Sequence, residues 1–139
     1  ETRAILKSFM EEDETWAVVL RSNSQLLGSF GLHRDAMRGS EIKARALGYV
    51  LAEEAWGHGY ATEAAQRVLS FAFEEFGLEL VSVCHFPFNA RSRRVIEKCG
   101  FRYEGTIRHA YRRYDNTVLD SCCYSIMREE YLALKENAQ

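Results

Sequence analysis

One proline, Pro87, is all that the 139 residues contain. No Gly/Ser-rich or Pro-rich stretch, repeat or low-complexity segment marks a linker, so nothing divides the chain into two domains. No apolar run approaches the roughly 20 residues that a membrane-spanning helix needs. Neither sign of charge dominates: the net charge is -2, which supplies no broad basic field to draw in nucleic acid. The four cysteines, Cys84, Cys99, Cys122 and Cys123, form no Cys-x-x-Cys pair. Adjacent Cys122 and Cys123 face opposite sides of a strand, and the set reads as reduced, mostly buried thiols of a cytoplasmic protein. His33, His58, His85 and His109 show no metal-ligand spacing, so no metal is expected. The chain begins Glu1-Thr2-Arg3, with neither a methionine nor a signal-peptide pattern, and reads as a fragment or a processed form.

What is present is ordinary for a soluble globular domain: 47% hydrophobic and 27% charged residues, in a length that supports one hydrophobic core. Residues 1–12 read as a short helix or the end of one. Residues 16–21 read as a strand, Asn23-Ser24 as a turn and 26–33 as the second arm of a hairpin. Residues 34–40 are polar and loop-like, and 42–51 form a longer strand. From Tyr60 to Phe76 the apolar residues Ala61, Ala64, Ala65, Val68, Leu69, Ala72, Phe73 and Phe76 recur at helical spacing, with Glu63 on the outer face and Gly77 as the stop. Residues 80–84 are a short buried strand. Residues 89–99 form a second helix, 101–107 a strand, 111–116 a turn-rich stretch, 118–127 the last strand and 128–137 a polar terminal helix. The succession predicts a mixed α/β sheet with helices on its faces.

The most informative stretch is Trp56-Gly57-His58-Gly59-Tyr60-Ala61-Thr62, between a strand and an amphipathic helix. Two glycines one residue apart permit a sharp turn and close approach of the backbone to a ligand. The helix behind them points unpaired N–H groups and a positive dipole end at the turn, which suits an anion such as a pyrophosphate. Gly57-x-Gly59-x-x-Thr62 only partly matches a Rossmann fingerprint, because the third glycine is missing. The Gly-Lys-Ser/Thr ending of a P-loop is missing too.

Gly59-Tyr60-Ala61 matches the Gly-x-Gly/Ala core of the pyrophosphate loop in the GNAT acyltransferases. Residues 27–32, 47–51, 56–64 and 89–101, in order and at family spacing, resemble the RimJ/RimL-type N-acetyltransferases of that superfamily. Trp56 departs from the Gln or Arg of the superfamily consensus, and the family's opening strand and helix are not recognisable before the hairpin. The resemblance implies one α/β (α+β) GNAT-like domain over 1–139, lacking those opening elements. It implies a mixed, mostly antiparallel sheet with helices on both faces and acyl-CoA held where two parallel central strands splay.

The same resemblance implies acetyl-CoA as co-substrate and a primary amine as acceptor, at a protein N-terminus or on a small molecule. Cofactor contacts are expected from Val50, Leu51, Trp56, Gly57, His58, Gly59, Tyr60, Ala61, Thr62, Asn89, Ser92 and Arg94. Asn89 and Ser92, three apart, share one helix face; Asn89 also suits a plain N-cap, and Ser92 a plain solvent-facing position. Catalytic expectations fall on Ser92 and Tyr124 as proton donors to the CoA thiolate, on Tyr111 in the loop where this branch often presents an acid group, and on Glu53 as base. Glu54 and Glu104 are further base candidates. Cys84, mid-strand, reads as a buried inert thiol rather than an acetyl-enzyme nucleophile. A homodimer through the last strand or helix follows from family analogy. Two other readings stay open: a non-catalytic acyl-CoA-binding or sensor domain, and a Rossmann-type nucleotide binder.

Overall fold

The computed structural model describes residues 4–10 and 14–138. Seven strands, β1 (Ala4–Met10), β2 (Glu14–Leu20), β3 (Leu26–Arg34), β4 (Ala44–Leu51), β5 (Leu80–His85), β6 (Arg102–Arg112) and β7 (Val118–Met127), form one sheet in the order β1-β2-β3-β4-β5-β7-β6. Helices α1 (Tyr60–Ser70), α2 (Ala90–Lys98) and α3 (Arg128–Asn137) follow β4, β5 and β7. A π-helical stretch, Phe71–Glu75, continues α1.

Residues 4–10, expected to be helical, are instead a strand paired antiparallel with β2 from Ala4↔Leu20 onward. Pairing with a neighbour, which local pattern does not encode, decides the conformation of so short a segment. β6 runs to Arg112, so Tyr111 sits at a strand end rather than in a turn.

Among the described residues, only β4 and β5 pair in parallel. Their register runs from Ala44↔Leu80 to Leu47↔Val83 and stops there. β4 continues to Leu51 beside β3, while β5 continues to His85 beside β7. The sheet therefore opens into a V beyond Leu47 and Val83.

The core lies on one face of the sheet. Trp16, Phe30, Leu32, Leu47, Val81, Val83 and Ile126 bury against Ala65, Val68 and Leu69 of α1 and Ile96 of α2. α3 joins this face through Tyr131, which packs on Phe73 at 5.1 Å. The expected placement of helices on both faces thus holds for one face among the described residues. The other face carries Ser29, Gly31 and Gly48, which offer little apolar surface to a helix, and Val50, which is 71% exposed.

Part of that second face is closed by a polar network. Buried Asp35 accepts from Ser82 Oγ (2.7 Å) and Arg38 Nη1 (2.7 Å). Arg38 Nη2 also grips both oxygens of Glu104, which accepts from Ser125 Oγ. Burial opposes ionisation of Asp35, but the hydrogen bonds from Ser82 and Arg38 outweigh it and hold its pKa below the ordinary value.

Candidate functional site

The mouth of the V is a cleft of about 750 Å³, walled by the end of β4, the glycine turn with the first turn of α1, and α2. Both glycines of the turn have φ of +79°, a left-handed conformation that glycine adopts without the Cβ clash other residues meet. Gly59 is the N-cap of α1 and no side chain caps that helix. Glu63 N–H is the one that reaches back to Gly59 O (3.1 Å). The N–H groups of the first turn, from residues that line the cleft, precede this ladder and point along the axis toward the turn.

α2 begins differently. Asn89 Oδ1 accepts from Ser92 N at 3.1 Å, the N-cap bond expected from sequence. Of the residues lining the cleft, the charged ones are Arg91, Arg94 and Lys98, all on α2. Arg91 stacks its guanidinium 3.9 Å from the Trp56 ring centre. The Trp56 indole N–H donates to Leu51 O (3.0 Å), so this side chain pins the turn to β4. The chemistry on offer is a cationic, amide-rich wall that matches an anionic ligand.

The strand edge supplies a second set of donors. Ala52 N–H donates to Leu27 O (2.8 Å), and Leu51 stands opposite Gly28. Antiparallel alternation then turns the peptide groups of Val50 and Ala52 toward β3 and those of Tyr49 and Leu51 toward the gap. Leu51 O is taken by Trp56, leaving the Leu51 N–H side of that peptide facing the opening.

Ser92 is 8% exposed, not the solvent-facing residue that its place on a basic helix also allowed. Its Oγ lies 2.6 Å from Tyr49 Oη. Burial pushes the Tyr49 phenol up from its ordinary pKa, so Tyr49 stays protonated and can donate to Ser92 Oγ, leaving the serine proton to point elsewhere. Tyr49 was not singled out from the sequence. The available signal was its position two before Leu51, which puts both on one face of β4.

Of the residues expected at the site, Val50, Leu51, Trp56, Gly57, Gly59, Tyr60, Ala61, Thr62, Asn89, Ser92 and Arg94 meet in the cleft. His58 is not in the lining and stacks on Tyr60 at 5.2 Å. Glu53 is exposed in the short 3-10 turn Glu53–Ala55. Tyr111 stands away on β6, tilted against Phe86 at 5.6 Å. Tyr124 is buried beneath α2, its hydroxyl 3.2 Å from His85 Nε2. Glu104 belongs to the ion-paired network on the opposite face. Cys84 is exposed rather than buried, because it points to that same face. Its sulfur lies 3.3 Å from Cys123 Sγ, and desolvation together with this neighbour pushes its pKa up to about 11, so it remains a protonated thiol. Among the described residues no group of three or more potential ligands gathers for a metal, and no helix is long and apolar enough to cross a membrane.

Comparison with known proteins points the same way. The family description "Acetyltransferase (GNAT) domain" matches residues 1–102. The uncharacterized N-acetyltransferase YoaA of Bacillus subtilis is 31% identical over 113 residues, covering 81% of this chain and 62% of the relative. A GNAT-family acetyltransferase structure from Bacillus anthracis matches with TM-score 0.74 and 30% identity, over 83% of this chain and 66% of that one. RimJ of Mycobacterium smegmatis, solved in complex with CoA-disulfide, shares the fold with TM-score 0.75 at 24% identity, over 85% of this chain and 54% of its own. The present chain thus spans less than two thirds of the length of each.

Proposed function

The chain belongs to the GNAT acetyltransferase family, and we propose that it transfers acetyl from acetyl-CoA to a primary amine by direct attack in a ternary complex. The observation that carries this reading is the pairing of an uncapped, glycine-started helix with Arg91, Arg94 and Lys98 around one cleft beside a splayed strand edge. The N–H groups of the first turn of α1 hold the pyrophosphate, and Arg94 or its neighbours meet the remaining phosphate. Asn89 and the open edge of β4 line the pantetheine arm.

In the reaction the amine nitrogen bonds to the thioester carbon and the carbon–sulfur bond breaks. The Leu51 N–H stabilises negative charge as it develops on the carbonyl oxygen. Ser92 Oγ gives its proton to the departing thiolate and is reprotonated through Tyr49 from solvent, and solvent takes up the proton that the amine nitrogen loses. The acceptor is the amine of a protein N-terminus or of a small molecule, and the reduced thiols suit a cytoplasmic protein.

The test is release of free CoA thiol on addition of acetyl-CoA with and without amines, offered as a panel of Ala-, Ser- and Met-initiated peptides, spermidine and benzylamine. Amine-dependent thiol release with matching acetylated product supports the reading. Binding of acetyl-CoA without transfer to any of them would instead favour a non-catalytic acyl-CoA-binding domain.

A further inference from the structure

We propose that Cys84 and Cys123 are a reversible dithiol, converted to a cross-strand disulfide by exchange with a small-molecule disulfide. The inference is independent of the acetyl-transfer reading above.

The sequence holds four cysteines with no spacing that pairs them; the sheet supplies the pairing. Cys84 and Cys123, thirty-nine positions apart, stand directly opposite each other on the antiparallel strands β5 and β7. Facing residues of such strands have Cα atoms about 4.5 or 5.5 Å apart. Both spacings fall within the range of about 4.4–6.8 Å that a disulfide spans. Alternation puts both side chains on the sheet face away from α1 and α2. The sulfurs already lie 3.3 Å apart, with the Cys84 thiol donating to Cys123 Sγ. Closing to the bonded distance of about 2.05 Å takes side-chain rotation and no change of register.

The two thiols differ in access. Cys84 is exposed and is the first residue of β5 beyond its register with β4. Cys123 is buried and lies 3.8 Å from Ser121 Oγ. Cys84 therefore meets an incoming disulfide, and Cys123 resolves the product from within. One step along the same ladder, Ser82 faces Ser125. Ser82 is bonded to Asp35 and Ser125 to Glu104, and Arg38 joins the two carboxylates. That network fixes the strands on which the thiols stand. Position excludes the other two cysteines. Cys122 stands across from His85 and packs against the core on the opposite face. Cys99 is buried at the end of α2, its sulfur toward Thr62 O.

The exchange balances. Cys84 Sγ attacks one sulfur of the small disulfide, whose S–S bond breaks, and the departing thiolate takes the Cys84 proton. Cys123 Sγ then attacks Cys84 Sγ, the mixed disulfide breaks, and a second small thiol leaves with the Cys123 proton. One small disulfide is reduced to two thiols as the pair is oxidised, and excess small thiol runs both steps backward. The new bond closes a loop over α2 and β6, which restricts the unfolded chain far more than the folded one.

The experiment incubates the whole chain with oxidised glutathione under native conditions until the count of free thiols is constant. The raised pKa of Cys84 makes the first exchange slow. The expected result is loss of two of the four thiols, no retained glutathione, and a linked Cys84–Cys123 peptide in a non-reduced digest. The thermal midpoint rises by on the order of 10 °C, and dithiothreitol reverses every change. Cys123→Ser stops at the mixed disulfide, with one glutathione on Cys84, while Cys122→Ser still forms the Cys84–Cys123 link. Four free thiols at the endpoint, a glutathione that stays on Cys84 of the unsubstituted chain, or a linked peptide containing Cys99 or Cys122 overturns the assignment. Each of these three is read on the unsubstituted chain and does not depend on the folding of a variant.

Discussion

Two helices start at the same cleft, and they start in opposite ways. α2 satisfies its own first turn, with Asn89 Oδ1 accepting from Ser92 N. α1 starts on Gly59 in the left-handed conformation, with no side-chain cap. A cap on α2 stabilises the helix and fixes Ser92 where it meets Tyr49. α1 has no such side-chain cap, and the proposed function assigns the amides of Ala61 and Thr62 to the pyrophosphate. On the proposed reading the capped start of α2 serves positioning and the uncapped start of α1 serves anion binding, and a single side-chain oxygen marks the difference.

The contrast breaks most sharply if α1 is given what α2 has. Gly59→Asp places a carboxylate at the N-cap of α1, where it occupies the amides and repels a pyrophosphate. Charge-assisted hydrogen bonds are worth about 1.5–3 kcal/mol each, so the acetyl-CoA Kd measured by calorimetry rises by about 100-fold or more. Next comes Ser92→Ala, which keeps the α2 cap, since the cap uses the Ser92 backbone, but removes the hydroxyl facing Tyr49. The expected fall in kcat is on the order of 100-fold, with acetyl-CoA binding changed only a few-fold. Asn89→Ala removes the cap itself and costs about 1 kcal/mol of stability. It is read as a lower midpoint in thermal unfolding, with a smaller loss of acetyl-CoA affinity than Gly59→Asp.

The smallest effect lies away from the cleft. Lys135 and Tyr131 hold the Glu74 carboxyl at a pKa of about 2, below its ordinary 4.5. A carboxylate depressed on folding stabilises above its unfolded pKa and loses that contribution as pH falls from about 4.5 toward 2. Glu74→Gln therefore flattens the fall in thermal midpoint across that window and leaves acetyl-CoA binding unchanged.

The contrast between the helices was half visible in the sequence. Both starts depend on chemistry local to a few residues: Gly57 and Gly59 before an amphipathic run, Asn89 three before Ser92. Local patterns are what a sequence displays openly. The burial of Ser92 was not visible, because it depends on Tyr49, forty-three positions earlier and brought close by the β4–α2 packing. The pairing of His85 with Tyr124 was hidden for the same reason, since β5 and β7 meet only in the sheet. The strand at residues 4–10 likewise owes its conformation to β2. The apolar stripes of the helices announced a core, while the sparse apolar surface of the opposite sheet face, spread over several strands as Ser29, Gly31 and Gly48, became legible only once the register was known.

The most direct test of the anion-binding cleft is thermal unfolding with acetyl-CoA, with NADH as the control. A ligand bound only by the folded chain at 100 times its Kd adds about 2.7 kcal/mol, which for a domain of this size raises the midpoint by several degrees. The account predicts that rise with acetyl-CoA, none with NADH, and its loss in Gly59→Asp. An unchanged midpoint at saturating acetyl-CoA, or a rise that Gly59→Asp retains in full, would contradict it.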